Sequence, residues 1–149
     1  MASAADGGEG EEVSKPLRGL PGRGELILVV DDDENLRVAL ARMLKTLGFS
    51  VVTAADGEDA LEVIKRSAVR IDAVLLDVRM PQLDGPGLVD RLCSRGRCLP
   101  ILYMSGQEEN SPAMAGALDS GHPLLRKPFT PQALVFALRE VLDTQSRSG

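Results

Sequence analysis

Residues 26–35 read LILVVDDDEN. Five apolar residues in unbroken succession are the pattern of a strand buried on both faces, and they run straight into Asp31, Asp32, Asp33 and Glu34. Four carboxylates at one strand end repel one another, so the cluster implies something positive to offset it. A strand covered on both faces also implies helices above and below it. The rest of the chain has to supply the cover and the charge.

The cover follows from the apolar spacing. Leu36, Leu40, Met43, Leu44 and Leu47 recur at helical intervals before Gly48, placed where a helix stops. SVVTA (50–54) reads as a second strand, and the turn signal Asp56-Gly57 precedes a helix around Ala60, Leu61, Val63 and Ile64. DAVLLD (72–77) is a third strand and GLVDRLCSR (87–95) a third helix. ILYM (101–104) follows Pro100 as a fourth strand, ahead of a helix near PAMAGALDS (112–120). PLL (123–125) makes a short fifth strand. Thr130 then caps a last helix with Pro131 in its first turn and Leu134, Val135, Leu138, Val141 and Leu142 as its apolar stripe.

Five alternations of strand and helix give an α/β fold with a parallel sheet covered on both sides by right-handed crossovers. Ligands of such sheets sit at the carboxyl ends of the strands. Those ends carry Asp31 and Asp32 after the first strand, Asp77 at the third, Ser105 after the fourth and Arg126-Lys127 after the fifth.

Composition narrows the function. A chain of 149 residues with 44% hydrophobic and 26% charged residues suits one soluble domain with an aliphatic core, since it holds three Phe, one Tyr and no Trp. The net charge of −5 argues against a nucleic-acid surface, and no apolar run approaches the ~20 residues of a membrane span. A cytoplasmic location is the expectation. Residues 1–24 hold six of the fifteen glycines and few large apolar groups, the composition of a disordered leader. The expected domain covers 25–143, with 144–149 a frayed tail. Cys93 and Cys98 lack metal-ligand spacing and read as small packed thiols, and His122 has no framing acid.

Three carboxylates, a hydroxyl and an ammonium at one sheet edge are the parts of a phosphoryl-transfer site with a hard cation. Mg²⁺ takes oxygen ligands and retains waters; Asp32 and Asp77 are candidate direct ligands, with Asp31 holding a water. Asp77 ends the central strand and is the candidate nucleophile, while Lys127 and Ser105 are donors for phosphate oxygens. Taken singly, each residue has a plainer reading. Asp33 and Glu34 suit a helix cap, Asp31 and Asp32 a turn, Ser105-Gly106 a turn, and Lys127 a solvated lysine. It is their joint placement at four strand ends that favours a site. Lys127 precedes Pro128, and a cis bond there would turn the lysine back toward that edge.

ILVVDDDENLR, DAVLLDVRMPQLDG, ILYMSG and LLRKPF, in this order, resemble the receiver domains of two-component response regulators over about residues 25–143. The resemblance implies a flavodoxin-like (βα)₅ fold with strand order 2-1-3-4-5. It implies Asp31 and Asp32 as the acidic pair, Asp77 as phosphoacceptor, Ser105 as switch hydroxyl and Lys127 as the conserved-type lysine. It also implies Mg²⁺ held by Asp31, Asp32, Asp77 and the backbone carbonyl of Arg79. The implied partner is a histidine kinase or histidine phosphotransfer protein, with output through contact with a further protein. Leu124 departs from the pattern, which often has an aromatic ring there. The segment LPGRGELILVVDD also resembles the join between kinase core and receiver in hybrid sensor kinases. With about six residues after the last helix, a stand-alone receiver without a DNA-binding domain is the expectation. A competing reading is a haloacid dehalogenase-type phosphatase, for which Asp31-x-Asp33 fits the opening of the motif but Asn35 does not fit its end.

Overall fold

A computed structural model of the chain describes residues 21–67, 70–79, 87–90, 99–106 and 111–148. In chain order these form β1 (Leu26–Val30), α1 (Glu34–Thr46), β2 (Ser50–Ala54), α2 (Gly57–Arg66), β3 (Ala73–Asp77), β4 (Ile101–Ser105), α3 (Pro112–Asp119), β5 (Leu124–Arg126) and α4 (Pro131–Ser148). Residues 87–90 are also helical. The strands form one parallel sheet in the order β2-β1-β3-β4-β5, the expected 2-1-3-4-5.

Each strand of the centre alternates its side chains between two apolar layers, which is why β1 carries no polar residue. Ile27, Val29, Leu75, Leu102 and Met104 face Leu40 and Leu44 of α1 and Leu134 and Leu138 of α4. Leu28, Val30, Val74, Leu76, Ile101 and Tyr103 face Ala60 of α2, Leu88, and Met114 and Ala117 of α3. Helices thus cover both faces, and β3 and β4 are buried along their whole length.

Caps decide where the helices begin. Asp33 caps α1, its Oδ1 accepting from the N–H groups of Asn35 (3.0 Å) and Leu36 (3.3 Å). The Asp56-Gly57 pair is part of the helix start: Asp56 Oδ1 accepts from Asp59 N, and Asp59 Oδ2 accepts from Ala55 N in return. Thr130 Oγ1 accepts from Ala133 N at the start of α4. Gly48 follows the Leu47 cap of α1 with φ of 99°, the left-handed backbone that glycine takes without strain. The Lys127–Pro128 peptide is cis.

Several boundaries differ from the sequence reading. Asp72 stands outside β3, its N–H donating to Leu26 O and its carboxylate accepting from Leu26 N, each at 2.8 Å. Pro123 has no N–H for the ladder, and β5 begins one residue later and ends at Arg126. The expected frayed tail after 143 is instead a continuation of α4 to Ser148, since no helix breaker intervenes before Gly149. The expected disordered leader is shorter at its inner end. Gly22 N donates to Leu47 O and Gly24 N to Gly48 O, each at 2.8 Å, and these bonds lay 21–24 against the end of α1. The leader up to residue 20, most of the expected helix 87–95, and Cys93 and Cys98 lie outside the described residues. Among the described residues no helix is long and apolar enough to cross a membrane.

Candidate functional site

Strand register assembles the site. Val30 pairs with Leu76, so Asp31 and Asp77 come side by side at the next position. Asp77 pairs with Met104, which sets Ser105 just beyond it, and Ser105 pairs with Arg126, which brings Lys127 to the same rim. Lys127 N donates to Ser105 O at 2.7 Å and holds the two strand ends together.

The carboxylates of Asp31, Asp32 and Asp77 each offer an oxygen, and these lie within 4.8 Å of one another. Asp31 is fully buried and Asp77 nearly so, whereas Asp32 is exposed. The positive group that this cluster implies is Lys127. Its Nζ lies 3.2 Å from Asp31 Oδ2 and 3.4 Å from Asp77 Oδ2. Backbone donors finish the arrangement, with Asp33 N giving 2.8 Å to Asp31 Oδ1 and Arg79 N giving 3.2 Å to Asp77 Oδ1. The Ser105 hydroxyl is buried beside them and has no hydrogen-bond partner among the described residues.

Electrostatics follow from burial. Loss of solvent pushes the Asp77 carboxyl up to about 6, and the charge of Asp31 adds to the rise. Lys127 and the Arg79 N–H pull it back in part. For Lys127, burial alone would lower the pKa, but Asp77 and Asp31 outweigh it and leave the ammonium more firmly protonated than usual. An all-oxygen set of three carboxylates with one exposed member fits a hard divalent cation that keeps part of its water shell, and offers no nitrogen or sulfur for Zn²⁺.

One contributor is absent from the sequence reading. Arg37 Nη1 donates to Asp31 O at 2.8 Å and fixes the backbone beneath the acidic pair. Its signal is its place one turn into α1, on the side of the helix nearest the end of β1. His122 stands apart from the site, edge-on to Tyr103 with ring centroids 6.0 Å apart, and burial lowers its pKa. Asp33 is occupied as the α1 cap, which removes the second acid of the dehalogenase-type motif.

A parallel sheet of this order with acids, hydroxyl and lysine on one rim defines a receiver, and the comparisons with known proteins agree. The chain belongs to the response regulator receiver domain family, whose sequence profile matches residues 27–139; it is a receiver domain of two-component signalling. It is similar to response regulator MprA of Mycobacterium sp. strain KMS, with 44% identity over 121 residues, 80% of this chain and 51% of that one. MprA of Mycobacterium leprae strain TN is 44% identical over 117 residues, 78% of this chain and 50% of the relative. The chain thus spans about half the length of the curated relatives it matches. Among solved structures, a receiver domain protein from Clostridium thermocellum superposes with a TM-score of 0.74 at 25% identity, covering 84% of this chain and 99% of that one. Chemotaxis protein CheY4 of Vibrio cholerae gives 0.68 at 32% identity over 80% of this chain and 99% of its own.

Proposed function

We propose that the domain is a phosphorylation switch that accepts a phosphoryl group on Asp77 from a histidine kinase or histidine phosphotransfer protein. The observation that carries this reading is Lys127 Nζ within 3.4 Å of the Asp77 carboxylate at the end of a fully buried strand. With a pKa of about 6, Asp77 is ionised at neutral pH and can act as nucleophile. One of its oxygens attacks phosphorus, the O–P bond forms as the donor's P–N bond breaks, and the leaving imidazole regains a proton. Lys127 neutralises the phosphoryl oxygens, and the buried Ser105 hydroxyl gains an acceptor. Asp31, Asp32, Asp77 and the carbonyl of Arg79 would hold Mg²⁺, which supplies charge neutralisation to the transferring group.

Phosphate adds roughly −1.5 to −2 charge next to Asp77. Ser105 and Lys127 are the donors it draws, and both belong to the β4–β5 edge, so output is expected on the face built from α3, β5 and α4. Leu118 and Phe136, 59% and 67% exposed, lie on those two helices. The test is intact-mass measurement after treatment with acetyl phosphate and Mg²⁺. One added phosphate on the wild type and none on Asp77→Asn is expected; equal labelling of the two would sink the assignment.

A further inference from the structure

Between α1 and the sheet-edge strand β2 runs a groove of about 400 Å³. Among the described strands β2 pairs with β1 alone, so its outer side is an open sheet edge there. The groove carries Arg37, Arg42 and Lys45 against one acid, Glu34, a local excess of 3 − 1 = 2 positive charges in a chain of net charge −5. Arg42 and Lys45 are exposed and form no ion pair among the described residues. Val38, 44% exposed, and the half-buried Val52 add apolar surface between the charges.

The complementary charge is in the same chain. Residues 6–12 read DGGEGEE, four carboxylates without a base. The chain comes in beside the groove, because Gly22 N bonds to the carbonyl of Leu47, two residues beyond Lys45. Eight residues separate Glu12 from Pro21, and the nine steps between them can span ~30 Å. The stretch of α1 from Glu34 to Lys45 rises only ~16 Å. The tether is therefore long enough to reach the whole groove, and a short link holds its ligand at an effective concentration on the order of millimolar.

We infer that the acidic run at residues 6–12 docks in cis into the α1–β2 groove, its carboxylates over Arg42 and Lys45. Docked there, it shields the open edge of β2 and excludes other acidic segments from α1. The contact is electrostatic and weak for each pair, so it is reversible and salt-sensitive.

Amide spectra of the full chain test this. The charge-neutral leader (Asp6→Asn, Glu9→Gln, Glu11→Gln, Glu12→Gln) is expected to shift the amides of Arg42, Lys45, Val52 and Thr53 relative to wild type, while Leu124 to Arg126 stay unchanged. Arg42→Gln with Lys45→Gln should shift the leader amides in turn, and about 1 M NaCl, where the screening length is ~3 Å, should erase the wild-type differences. Identical α1 and β2 amides in wild type and neutralised leader overturn the inference. So does a difference that fades on dilution, because that contact would join two copies.

Discussion

Asp77 holds its proton more tightly in the folded chain than in the unfolded one, with a pKa of about 6 against 3.8. A group shifted upward contributes stability fully below the unfolded value and loses it as pH rises through the folded value. Each pKa unit is worth ~1.4 kcal/mol, so a rise from 3.8 to about 6 makes ionised Asp77 cost about 3 kcal/mol at pH 7 when no divalent cation is present. Asp77→Asn should therefore raise the thermal midpoint at pH 7 in EDTA by several degrees, and the gain should vanish near pH 4. Calorimetry at the two pH values checks it; no gain at pH 7 would mean that Lys127 fully offsets the burial of Asp77. Ser105 and Lys127 have no comparable test in isolation, because each takes its meaning from a strand end next to it.

At the scale of elements, the turn after α1 is set by two glycines in contact. A Cβ on Gly48 would collide with the carbonyl oxygen of Gly22, and one on Gly22 would lie 2.5 Å from the Gly48 carbonyl carbon. Gly48 also has a φ of 99°. Gly48→Ala combines strain with a backbone clash and should cost on the order of 2–4 kcal/mol. Gly121 shares the positive φ, at 82°, but faces open space, so Gly121→Ala should cost only about 1 kcal/mol. Urea denaturation of the two variants separates clash from conformational strain, and equal losses would refute the clash. Gly48 as a helix stop was legible in the sequence, as were all five strands, because buried parallel strands announce themselves by apolar runs; their order came from the resemblance to receiver domains. The acid and lysine positions were legible for a related reason: each lies within two residues of the end of such a run. The Gly22 contact was not, since it depends on where two backbones cross. Nor was Arg37, whose role lies in a bond to a main-chain carbonyl and whose one signal is its place a turn into α1. The end of α4 was misjudged because polar residues such as Thr144 and Gln145 suit a frayed tail and a helix equally well.

Across the whole molecule, Arg139 ties the first described residues to the last helix. Its Nη1 donates to Glu25 Oε2 at 2.6 Å and to Pro21 O at 3.3 Å, and its Nη2 meets Asp143 at 3.1 Å. Burial alone would raise the Glu25 pKa, but bonds from Arg23 N and Arg139 outweigh it and leave the carboxyl below its usual value. Glu25 thus supports the fold above its ordinary pKa of 4.5, and that support fades as pH falls further. Arg139→Ala should lower stability by about 1 kcal/mol, a modest figure because the pair is partly exposed. It should also speed hydrogen exchange at Gly22 and Gly24 more than in β3. Uniform acceleration across the sheet would show that the tie is not local.

The bond between Lys127 and Asp31 joins positions 96 residues apart. During synthesis Asp31 and Asp77 leave the ribosome well before their counter-charge exists, and chains emerge and fold from the N-terminus onward. A growing chain, or one cleaved ahead of residue 127, has the acids of the rim without the lysine that holds them together. Under the proposed function, competence to take a phosphoryl group therefore waits until the fifth strand and Lys127 have emerged. On the same reading, an unfinished or clipped copy would carry the acids without the lysine that neutralises the incoming phosphoryl group.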